Sequence, residues 1–237
     1  MTDMSFSPKS FDLLKDLRAN NSKEWYAENR AAFKDHLLQP FEDMLVATSE
    51  RLKDRAFAMS GGAQTMFRQN RDARFNKVPD VYHRYVSGML SPSGAKSASH
   101  GVIYARLTTT GGFLSVGFHD LSTQQLNKMR DHILQNPDRF KAIIADLQAA
   151  GLTFPEDMDA FDMPGLTLAT MPRGYADHKN SDLAPFIRRK SFAIFESQTK
   201  KIWLDNAVLE RIVEIHAAMD SFLKFGSHAL ATEEPEA

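Results

Sequence analysis

Residues 102–118 constrain the fold most, because they alternate on both sides of a glycine turn. Before Thr110-Gly111-Gly112, the side chains of Ile103, Ala105 and Leu107 fall on one face of an extended chain, with Tyr104, Arg106 and Thr108 on the other. After it, Leu114, Val116 and Phe118 share a face opposite Phe113, Ser115, Gly117 and His119. A period of two on each side of a glycine pair reads as an antiparallel hairpin with one aliphatic face. The other face carries tyrosine, arginine, serine and histidine, and Gly117 would let another group approach the backbone.

The flanking sequence has a different period. Ser7 and Pro8 open a helix whose apolar face is Phe11, Leu14 and Leu17, and Asn20-Asn21 stops it by tolerating a left-handed conformation. Ser22 caps a second helix, and Pro40 ends or kinks it, or opens a third bearing Phe41, Met44, Leu45, Thr48 and Leu52. Alternation predicts strands over 65–70, 81–90, 102–109 and 113–118. Two helices follow, one capped by Ser122 and one opened by Asn136-Pro137, then short strands at 166–170 and 191–196 and a final helix over 206–225. Helices first, strands next and helices last is an α+β order. The expected architecture is a single α+β domain over 1–228, an antiparallel sheet flanked by N-terminal and C-terminal helices, with an acidic, disordered tail at 229–237.

Within that frame the chemistry concentrates between Phe67 and Lys77, where Arg68, Arg71 and Arg74 surround Asp72. Extended, the segment places Arg68, Asp72 and Arg74 on one face and Arg71 on the other; helically, the three arginines stack at three-residue spacing. From Arg68 to Arg84, five basic residues (Arg68, Arg71, Arg74, Lys77, Arg84) face Asp72 and Asp80, a surplus of three. Planar guanidinium forks suit phosphates and carboxylates, but they also build internal ion-pair hubs. Both readings stay open: a clamp of Arg68, Arg71, Arg74 and Lys77 oriented by Asp72 with Arg106 adding charge, or a purely structural cluster. If chemistry occurs, His119 or His178 is the expected proton carrier, with Arg173 and Tyr175 on the loop beside His178.

Three stretches resemble the bacterial family called domain of unknown function 2461. They are the run from Phe11 to Tyr26 with Asn29-Arg30, the run from Arg71 to Lys77, and Pro172-Arg173-Gly174-Tyr175 with Asp177-His178 and later Arg189-Lys190-Ser191-Phe192. The chain departs from the family pattern after Lys77, where it reads Val78-Pro79-Asp80-Val81-Tyr82-His83-Arg84 and a lysine of the usual basic run is missing or displaced. The resemblance implies a compact α+β domain in a cytoplasmic setting and no established activity.

Composition removes several classes. With no cysteine, the chain has no disulfide, thiolate metal site or cysteine nucleophile. A formal net charge of −1 argues against a general nucleic-acid binder, and no apolar run approaches a membrane span. Phosphate-loop, dinucleotide and nucleophile-elbow glycine patterns do not occur, and no spaced ligand set points to a metal or cofactor. The expected partner is a small phosphate- or carboxylate-bearing molecule, with a non-enzymatic protein- or nucleic-acid-interaction module as the alternative. Oligomeric state is not legible in the chain.

Overall fold

The computed structural model describes residues 5–71, 80–96, 101–156 and 165–231. Asp72, Arg74 and Lys77, and the tail from 232 onward, lie outside them. The helices before the sheet are α1 (Pro8–Ala19), α2 (Lys23–Phe33) and α3 (Gln39–Leu52), the last two joined by a π-turn at Lys34–Leu38. Four strands follow the order β1-β2-β3-β4 in one antiparallel sheet: β1 (Val86–Leu90), β2 (Val102–Thr108), β3 (Gly111–Phe118) and β4 (Phe192–Thr199). Between β3 and β4 come α4 (Thr123–Gln135), α5 (Pro137–Ala149) and the short α6 (Ala184–Ile187); α7 (Lys200–Leu204) and α8 (Val208–Leu230) close the chain. The α+β class expected from the order of periods is what the fold shows.

The described residues fall into two compact units. The first draws on 1–98, 103–115 and 196–215, the second on 99–102, 116–195 and 216–237. In the first, the aliphatic hairpin face is buried as expected: Ile103, Ala105, Leu107 and Leu114 have no exposed surface. β1 pairs antiparallel with β2, Gly88 opposite Ala105. Phe11, Leu14, Phe33, Leu37, Phe41 and Leu45 from the helices, with Trp203 from α7, complete this unit's core. In the second unit Phe118 meets Phe222 edge-on at 5.8 Å, and Phe140 packs on Phe225.

Local chemistry explains the helix boundaries, with one correction. Asn20 does not adopt the left-handed conformation expected of it (φ −128°, ψ 50°). It closes α1 through its side chain, which donates to the Asp16 carbonyl, while Asn21 exchanges two hydrogen bonds with the Tyr82 backbone at 2.8 and 3.0 Å. Ser22 caps α2 as expected, accepting from the Trp25 amide. Pro40 opens α3, the last of the alternatives expected for it, standing in that helix's first turn, and Phe41, Met44, Leu45, Thr48 and Leu52 form its buried face. A proline lacks an N–H and crowds the carbonyl four residues back, here that of His36. The chain widens into the π-turn, and the Ser10 hydroxyl donates to the His36 carbonyl at 2.6 Å.

The strand expected over 65–70 is also replaced. Ala63–Thr65 is a single 3₁₀ turn, and the following residues touch the β1 side only through bridges at Met66–Gly88 and Asn70–Tyr82. Four residue steps on one side (66 to 70) span six on the other (88 to 82), so the ladder cannot stay in register and the 82–88 side carries two extra residues. That offset shortens the expected 81–90 strand to Val86–Leu90. The strand expected over 166–170 reduces in the same way to one bridge, Thr167–Arg189. Finally, β3 is buried on both faces, and the group approaching Gly117 is β4 itself: a Cβ there would lie 2.3 Å from the Phe192 carbonyl oxygen.

Candidate functional site

Three of the arginines singled out in the sequence gather in the first unit, around His83. The irregular pairing pins the 66–71 segment through Phe67 N–H to the Ser87 carbonyl (2.9 Å), Arg71 N–H to Val81 (2.9 Å) and His83 N–H to Gln69 (2.7 Å). The His83 pKa is lowered, by burial first and then by the guanidinium charges of Arg71, Arg106 and Arg68. Arg106 projects from the outer face of β2, as the alternation required. Its Nε donates to the Tyr104 hydroxyl at 3.0 Å, and its guanidinium lies 4.0 Å from the Tyr85 ring centre and 5.0 Å from that of Phe113. Among the described residues it faces rings and no carboxylate. Aromatic faces stabilise a guanidinium without neutralising it.

Arg71 is held differently. Asp80, buried beneath the segment, takes Arg84 at 2.7 and 3.0 Å and Arg71 at 3.8 Å. Among the described residues, the carboxylate that meets Arg71 is therefore Asp80, a residue the sequence reading counted but gave no role.

Arg68 lines a cleft of about 1150 Å³ within the first unit. The opposite wall is α2 and the π-turn, which contribute Lys23, Arg30 and Lys34. On a helix turning about 100° per residue these three positions fall within an arc of roughly 40°. Among the described lining residues, these three and Arg68 set four cations against two carboxylates, Glu28 and Glu42, an excess of two. Lys23, Arg30 and Lys34 make no ion pair with a described residue. Arg30 and Lys34 are also like charges four residues apart, an arrangement that destabilises a helix unless something else is gained. Sequence reasoning passed over these three. The signal was present, however: none has a carboxylate three or four residues away, unlike Lys15, Lys53, Lys201, Arg211 and Lys224, which pair at that spacing.

The remaining sequence candidates belong to the second unit. His119 is half-buried with its ring edge-on to Phe195 (5.0 Å, 78°), and it lines a 400 Å³ hollow with Asp120, Lys190 and Ser191. Its Nδ1 is 3.4 Å from Ser191 Oγ, and burial lowers its pKa to about 4 against a smaller upward pull from Asp120. The shift favours the uncharged imidazole at neutral pH, whose free ring nitrogen suits a proton acceptor better than a proton donor. Tyr175 is buried, its hydroxyl donating to Asp131 at 2.7 Å, and burial pushes its pKa up to about 12. Arg173 is exposed, and His178 ends a 3₁₀ turn where its carbonyl accepts from Ser181. Among the described residues no cluster of three or more His, Asp or Glu could hold a metal ion. No helix there is long and apolar enough to cross a membrane.

The His119 shift carries a measurable consequence. Below about pH 6.5 the unfolded chain takes up a proton that the folded chain refuses until about pH 4. Stability is expected to fall as pH drops across that window, by up to ~3 kcal/mol from this residue. His83 and His132, also lowered, act in the same direction. Melting temperature recorded from pH 7 to 4 should flatten in His119→Gln; an unchanged slope would contradict this account.

A family model described as a conserved hypothetical protein, DUF2461, matches residues 9–225, nearly the whole chain, and the protein belongs to that family. No curated protein and no solved structure matches it.

Proposed function

We propose that this member of the family binds a small phosphate- or carboxylate-bearing molecule in the cleft between α2 and the 63–70 segment. The observation that carries the reading is the set of cations lining that cleft: Lys23, Arg30 and Lys34, which make no ion pair with a described residue, on one wall, with Arg68 on the other. A charge-assisted hydrogen bond contributes roughly 1.5–3 kcal/mol, so three near the top of that range reach the roughly 8 kcal/mol of micromolar binding. Arg71 and Arg106, clustered with Arg68 about His83, raise the positive potential at the same segment. For Arg71 alone, the Asp80 carboxylate at 3.8 Å favours a second, structural role. The setting we propose is cytoplasmic, on the absence of cysteine and the near-neutral charge.

Calorimetric titration with inorganic pyrophosphate tests the reading. Arg68→Ala and Arg30→Ala should each weaken binding about tenfold or more. Arg71→Ala should weaken it less while lowering the melting temperature. Affinity that survives both of the first two substitutions would overturn the assignment of the cleft.

A further inference from the structure

The cleft offers more than charge. Phe67, on its wall, is 39 % exposed, and it is one of two large apolar side chains so exposed among the described residues. The ring is not loosely placed: its backbone N–H is bonded to Ser87, Tyr104 tilts against it at 5.8 Å, and Lys96 stands 5.8 Å from its centre. Tyr26 and Tyr82, also lining the cleft, are stacked on each other at 4.2 Å and 15°. Gln69, 8 % exposed, lines it too, and its Oε1 is buried and accepts no hydrogen bond from a described residue. A buried acceptor without a donor is costly, and its natural complement is an N–H or O–H brought in by a ligand.

We infer that the ligand is a nucleotide, with its base against Phe67, an N–H of the base donated to Gln69 Oε1, and its phosphates among Arg68, Arg30 and Lys34. The inference rests on the anion-binding reading of the same cleft. Each part of the lining answers one part of such a molecule: an aromatic face for the base, an acceptor for its edge, and cations for its phosphates. A volume of about 1150 Å³ accommodates a molecule of that size. A free nucleotide fits better than a strand, because a formal net charge of −1 gives the chain no general attraction for a polyanion.

The test compares inorganic triphosphate, the four ribonucleoside triphosphates and a single-stranded octanucleotide by calorimetry with the full chain. At least one nucleotide should bind tenfold or more tighter than triphosphate, on the order of one base–aromatic stack. Phe67→Ala should erase that margin and leave triphosphate affinity unchanged; its ring is exposed, so the variant should fold. Gln69→Met should weaken the nucleotide while leaving thermal stability equal or higher, since it removes an unsatisfied acceptor. Triphosphate binding with no added affinity for any nucleotide would overturn this inference and leave the anion reading standing. Binding of neither class would sink both, and an octanucleotide preferred tenfold over every nucleotide would replace the free nucleotide by a strand.

Discussion

Replacement of Arg189 by alanine should lower stability by about 3–5 kcal/mol, the scale seen when a buried charge network loses one member. The side chain is 4 % exposed, and its donors all go to backbone. Nε donates to the Ser191 carbonyl at 2.9 Å, Nη1 to Phe154 at 3.4 Å and Nη2 to Pro155. Burial lowers its pKa to about 10, which still leaves it charged at neutral pH. Arg130, equally buried, continues the network by donating to the Ile187 carbonyl at 2.8 Å and to the Arg189 carbonyl at 3.0 Å. Removing the fork takes away the donor that now serves three carbonyls, those of Ser191, Phe154 and Pro155. Arg189→Lys should recover only part of the loss, because one ammonium cannot follow three diverging directions. Urea denaturation measures it, and a loss under about 1 kcal/mol would show that the carbonyls find other donors.

Gly112→Ala should be as damaging. Its φ is +140°, and a Cβ at that position would lie 1.8 Å from the Arg106 carbonyl oxygen. Strained backbone and a collision with main chain together are expected to cost about 3 kcal/mol or more, seen as loss of soluble protein or of the urea midpoint. Gly151 supplies the control: φ is +74°, but nothing lies within 4 Å of a Cβ. Gly151→Ala should therefore show only the backbone component, roughly 1–2 kcal/mol. If the two substitutions proved equal, the collision at Gly112 would have no energetic weight.

The hairpin was legible because period two and a glycine pair are local facts, and its aliphatic face had only one place to go. The helix caps at Ser22 and Ser122 were legible for the same reason. What escaped was tertiary. Asn21 read as a terminator because its partner, the Tyr82 backbone, is 61 residues away. The 65–70 strand failed on a mismatch in step between two segments, which neither shows by itself. Arg189 appeared in the family resemblance without a role, since only folding reveals that its donors go to carbonyls. The arginine segment drew attention by its density, yet the cleft's cations with no ion partner among the described residues, Lys23, Arg30 and Lys34, stand on α2 and the π-turn. They are informative through the carboxylates missing around them, a negative signal that is easily overlooked.

Each compact unit is assembled from three separate stretches of chain, and α8 contributes to both. Neither half can therefore be cut out, duplicated or exchanged between genes as a continuous cassette. During synthesis the first unit cannot close until 196–215 has been made, and the second until the stretch from 216 follows, so a chain cut short before residue 196 should be a target for degradation and not half a protein.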